Sequence, residues 1–135
     1  MSARGTTDLP SPFDPSPGDV RVLGLAATEW IARHYEALRT LPVVPAITPQ
    51  QSFALFAEPL PEEATPWPAL LERFERDVVP NSFHLPSPRY FGLMNPTPLP
   101  VAVFAEAMAA ALNQNVGAWH HSPAATGVER IVIRW

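Results

Sequence analysis

Residues 65–80 read TPWPALLERFERDVVP, and this stretch decides the fold class. Trp67, Leu70, Leu71, Phe74 and Val78 recur at three- and four-residue steps, the spacing of one helical face. The other face carries Glu72, Arg73, Glu75, Arg76 and Asp77, so the helix has a wet side. Thr65 is placed to cap it, and Pro66 to take its first position, where a missing N–H does no harm. Val79-Pro80 ends it.

Outward from this helix, proline sets the boundaries. The chain holds 18 prolines in 135 residues, against a usual share of about 5%. They cluster at 10–17, 42–49, 59–68 and 80–100, with one more at 123. Residues 1–15 are polar and proline-rich and read as a flexible arm. Ser16-Pro17 opens a proline-free window to Leu41, in which Leu23, Ala27, Trp30, His34 and Leu38 mark a helical face. Pro42–Ala64 has no sustained period and reads as an extended connection. Residues 80–100 hold six prolines and read as an ordered loop, with His84 near its start. A third helix begins at Pro100, shows Val101, Phe104, Ala105, Met108 and Leu112 on one face, and stops near Asn115–Gly117. Ser122-Pro123 starts a fourth, with Val128, Ile131, Val132 and Trp135 as its apolar stripe. In RIVIRW alone are helix and strand hard to separate. The reading is all-α, about four helices with proline-rich connections.

Composition narrows the chemistry. There is no cysteine, hence no disulfide, thiolate metal site or cysteine nucleophile. All nine basic residues are arginine, which removes every reaction that needs a lysine amine. The net charge is −4 and the basic residues do not cluster, so nucleic acid and anionic membranes are poor partners. The N-terminal residues lack an apolar signal region, and no apolar run reaches the length of a membrane span. A soluble, cytoplasmic chain is the expectation.

Two features point outside the chain. From Tyr90 to Val128 the only formal charge is Glu106, and the third helix is rich in alanine on every side. Either it is the central helix of a small bundle, or its surface is covered by another subunit or a longer chain. VERIVIRW also reaches the last residue without a capping glycine or polar tail, which suggests a sequence truncated at 135.

Local chemistry is incomplete. His120 and His121 are adjacent, so their side chains diverge and both cannot easily hold one metal ion. No role is assigned to either, and no metal site is expected. His34 lies on an apolar stripe and reads as a core histidine. His84 has no base or nucleophile beside it in sequence, and no glycine-rich phosphate loop is present.

The segments SPRYFGLMNPTPLP, LNQNVGAWHHSPAAT and VERIVIRW resemble the N-terminal part of the group II pyridoxal-phosphate-dependent amino acid decarboxylases. These include the aromatic L-amino acid, histidine and glutamate decarboxylases. LPVVPAITPQ and WPALLERFERDVVPNSFHLPSP agree as well, so the resemblance covers about residues 17–135. One departure is Gly127, where the family carries glutamate; Glu129 keeps the second acid of that pattern.

The resemblance implies a complete protein with an α/β architecture of PLP-dependent transferase fold type I. It would be a homodimeric carboxy-lyase acting on an L-amino acid. Residues 16–85 would form a helical dimerisation region, and 86–135 the substrate loop and first helices leading into the large cofactor domain. The cofactor's lysine, ring contacts and phosphate segment would all lie beyond residue 135, so no catalytic or cofactor-binding residue is carried over. The substrate loop is carried over as Asn95, Pro96 and Thr97. Counting without gaps puts the family's carboxylate-binding threonine at Pro96, with Thr97 one residue on. Leu93 and Met94 stand where many relatives have aromatic residues. Asn115 and Gly117 match positions that reach the neighbouring subunit's active site. The alternative is a stand-alone helical interaction module without catalytic activity.

Overall fold

The computed structural model describes residues 15–135, so the arm expected at 1–15 lies, but for Pro15, outside the described residues. All regular structure among the described residues is helical. The chain divides into two compact units, Met1–Asn95 and Pro96–Trp135.

In the first unit, α1 runs Pro17–Ala37 and opens as the sequence predicts. The Ser16 hydroxyl accepts from the Asp19 N–H at 3.2 Å, and the Asp19 carboxylate accepts from the Ser16 N–H at 3.0 Å. This reciprocal box satisfies two orphan donors of the first turn. The Ser16 hydroxyl, and then its N–H, hold the Asp19 carboxyl below its ordinary range. Leu38 follows as the C-cap and is the one buried apolar residue among those described.

A second helix, α2, spans Pro49–Phe56, where the sequence predicts extended chain. Its cause is another capping box: Gln51 N–H donates to the Thr48 hydroxyl at 3.3 Å, and Thr48 N–H donates to Gln51 Oε1 at 2.9 Å. Proline at the first helical position completes the start.

The helix read at 65–80 forms, but differs at both ends. Pro66 is the N-cap rather than Thr65, with no side-chain cap bond, and α3 spans Trp67–Arg73. The chain then widens into a π-helical turn, Phe74–Val78, and a 3-10 turn, Val79–Asn81. The Val79 N–H reaches back to the Phe74 carbonyl, the five-residue span of that wider turn. Arg73 donates to Glu58 at 2.6 Å and lies 6.0 Å over the Phe56 ring, which ties the end of α2 to α3.

The second unit holds α4, Pro100–Leu112, and α5, Pro123–Val132, with a 3-10 turn at Trp119–His121 between them. α4 stops earlier than expected, because Asn113 takes the left-handed conformation at φ 45° and caps it. RIVIRW is helical through Val132. Ser122 sits at the N-cap of α5 but its hydroxyl makes no cap bond. Neither helix buries a residue, and Val101, Met108, Val128 and Ile133 are all exposed.

Candidate functional site

The loop after residue 90 is carried by a well-tied base at the C-terminal end of α1. His84, 3% exposed, approaches the Pro42 carbonyl with Nδ1 at 2.7 Å, and its backbone N–H donates to Val43 at 3.0 Å. Ser87 is also buried and donates from Oγ to the Leu38 carbonyl at 3.3 Å. Arg89 donates to the Leu41 carbonyl. Four hydrogen bonds thus pin the segment 84–89 to residues 38–43.

Around this base the aromatic rings interlock. Trp30 stacks on His34 at 5.0 Å and meets Phe74 edge-on at 5.0 Å. The His34 and His84 rings lie 5.6 Å apart. A cavity of about 180 Å³ is lined by these residues together with Phe83 and Pro86. His34 is therefore only partly covered, and His84 is the histidine that is buried. Burial, and then the charge of neighbouring His84, push the His34 pKa below its ordinary value. Arg33 pairs with Glu75 at 3.0 Å on the same face of α1.

The loop itself is held by Tyr90. Its N–H donates to the Ser87 carbonyl at 3.0 Å, and its ring meets Phe83 edge-on at 5.4 Å. Its hydroxyl accepts from the Asn95 side-chain amide at 3.3 Å. A Cβ placed on Gly92 would lie 2.6 Å from the Tyr90 ring, so a glycine is needed for the loop to pass this close. Tyr90 is not singled out by sequence reasoning; the glycine two residues on is its only visible signal.

Of the residues expected to bind substrate, Asn95 is thus joined to the fold of the first unit. Pro96 and Thr97 follow directly in the second unit, exposed and outside regular structure. Asn115 and Gly117 are brought together there: the Asn115 Oδ1 accepts from the Gly117 N–H at 2.9 Å. Both are exposed. The His120 and His121 rings stand 5.4 Å apart and nearly perpendicular. No group of three or more metal-binding side chains occurs among the described residues, nor is any helix of theirs long and apolar enough to cross a membrane.

No family model matches the chain. It is 32% identical over 123 residues to an aromatic-L-amino-acid decarboxylase of Manduca sexta, covering 89% of this chain and 24% of that protein. It is 32% identical over 120 residues to a histidine decarboxylase of Drosophila melanogaster, covering 87% of this chain and 14% of that one. In three dimensions it superposes on the Oryza sativa TDC with PLP and tryptamine at a TM-score of 0.82 and 26% identity, covering 93% of this chain and 25% of that one. A similar match, TM-score 0.81 at 26% identity, is the Catharanthus roseus tryptophan decarboxylase in complex with L-tryptophan, covering 93% of this chain and 26% of that one. The chain spans about a quarter or less of the length of each of these four proteins.

Proposed function

We propose that this group II pyridoxal-phosphate decarboxylase-like chain is the N-terminal segment of a cytoplasmic enzyme that releases the carboxyl group of an L-amino acid as carbon dioxide. The supporting observation is its fold, which follows a solved PLP-bound enzyme over 93% of this chain and only 25% of the other. Residues 16–85 serve as the dimerisation region of a homodimer, and 86–135 supply the substrate loop and lead into the cofactor domain.

Pyridoxal phosphate, when bound, supplies the electron sink that lets a carboxylate leave. The residues of this chain do not fit that group: there is no lysine to hold it and no glycine-rich segment for its phosphate. Its ligands therefore belong to other parts of the enzyme. This chain orients the substrate. The Asn95 amide and Thr97 hydroxyl are the hydrogen-bonding groups of the loop, and Pro96 stiffens the backbone between them. The turn closed by Asn115 and Gly117 contacts the neighbouring subunit's active site. Such positioning matters because the bond to be broken must be held in one orientation.

The test is to express the reading frame that carries this chain with the cofactor and follow carbon dioxide release from a panel of L-amino acids. Release is expected, with Asn95→Ala and Thr97→Ala lowering kcat/KM at unchanged cofactor content. Absence of release from every substrate would overturn the proposal, and variants that lose cofactor instead would remove the loop assignment.

A further inference from the structure

We infer that Tyr90 is the positioning residue of the substrate loop: it sets the shape of residues 91–95 and orients Asn95 without itself touching substrate. The inference rests on the decarboxylase reading above.

The backbone of Tyr90 hangs from a buried turn. Ser87 lies 5% exposed with its hydroxyl on Leu38, and its carbonyl accepts the Tyr90 N–H. Phe83 fixes the Tyr90 ring from the side. From there one side chain reaches both ends of the loop. The ring lies against Gly92, where an added Cβ would meet Cε2 at 2.6 Å and the hydroxyl at 2.9 Å. The hydroxyl then takes the Asn95 amide at 3.3 Å.

The large side chains of the loop do not do this work. Phe91, Leu93 and Met94 are 91%, 81% and 101% exposed, so none of them anchors the loop. Asn95 N–H donates to the Leu93 carbonyl at 2.8 Å, which tightens the turn but ties it to nothing outside. No glycine among the described residues has a positive φ. Gly92 is therefore required by the closeness of the ring and not by its own dihedral angles. Tyr90 and Gly92 act as a matched pair.

Steady-state kinetics on the complete holoenzyme test this. Tyr90→Phe keeps the ring and deletes one hydrogen bond, and should lower kcat/KM about 3- to 10-fold, mainly through KM. Gly92→Ala should lower it by about tenfold or more by displacing the ring. In a Tyr90→Leu background, which removes the obstacle, adding Gly92→Ala should change kcat/KM by less than about twofold, a non-additivity expected of contacting residues. Cofactor content should match the wild type throughout. Additive losses, losses that track cofactor content, or kcat/KM within about twofold of wild type for Tyr90→Phe and Gly92→Ala would overturn the inference while leaving the decarboxylase reading intact. A wild-type enzyme inactive on every L-amino acid would overturn that reading and this inference together.

Discussion

Nδ1 of His84 lies 2.7 Å from the carbonyl oxygen of Pro42. A carbonyl only accepts, so Nδ1 carries a proton, and Nε2 is buried with no partner among the described residues. The same residue donates its backbone N–H to Val43, so ring and backbone together clamp the segment that leaves α1. Proline 42 has no N–H, which makes its carbonyl the only backbone group it can offer here.

The first prediction follows from that clamp. Replacing His84 with alanine deletes a buried hydrogen bond and opens a void, and should lower the unfolding free energy by about 2–4 kcal/mol. His84→Asn can still offer an N–H near the Nδ1 position and should recover part of the loss. Urea unfolding followed by fluorescence measures both. An alanine variant as stable as the parent would show that the clamp contributes nothing.

The second concerns pH. Burial, and then His84, depress the His34 pKa in the folded chain, from an ordinary value of about 6.5. The unfolded chain then binds more protons below that value, so stability falls as pH drops from about 6.5 through the folded pKa. The groups facing His34 are His84, the Tyr35 ring and the paired Arg33 and Glu75. Among the described residues the carboxylate beside the ring, Glu75, is engaged with Arg33. Thermal melts from pH 7.5 to 5 should show the fall, and His34→Phe, which preserves stacking on Trp30, should flatten it. Equal slopes for parent and variant would refute the assignment.

Part of this fold is legible in the sequence at three proline-led helix starts. Ser16-Pro17, Pro100 and Ser122-Pro123 each open a helix at the expected residue. α2 is not legible by period, because eight residues hold two turns and show no repeat; its mark is the Thr48-x-x-Gln51 box. The π-helical turn at Phe74–Val78 leaves no trace, since it changes backbone register while the apolar spacing stays the same. At the candidate site, the loop is visible as a stretch through the resemblance, and Gly92 can be seen in it. The contact of Tyr90 with Asn95 cannot be seen, because it depends on how five residues turn in space. The burial of His84 is likewise a tertiary fact: the sequence places His34 on the apolar stripe and His84 in a loop, and packing reverses which is covered.

The third prediction concerns the surface of α4 and α5. Val101, Met108, Leu112, Val128, Val132 and Trp135 are all more than half exposed, with Glu106 the only formal charge from Tyr90 to Val128. Ser122 Oγ and Thr126 Oγ1 are buried without hydrogen-bond partners among the described residues. Apolar area of this extent favours association. The 135-residue chain should therefore self-associate at micromolar concentration, and Val128→Glu with Val132→Glu should reduce it. Sedimentation velocity decides the matter: a single monomeric species across the concentration range would be the contrary result.

The last prediction rests on the absence of lysine. Stable covalent capture of pyridoxal phosphate needs a primary amine whose pKa its surroundings can lower, and among side chains only lysine provides one. Arginine cannot replace it, since its guanidinium stays protonated in proteins, and all nine basic side chains here are arginine. Arg73 and Arg76 are held still more firmly in the charged form, the first by its bond to Glu58 and the second by its bond to Asp77. The 135-residue chain by itself should neither retain the cofactor nor release carbon dioxide from any L-amino acid. Mixing purified chain with pyridoxal phosphate, dialysing and recording the visible spectrum tests the first half, and a carbon dioxide assay the second. A stoichiometric absorption band that survives dialysis, accompanied by turnover, would mean that this chain carries a cofactor site built without lysine.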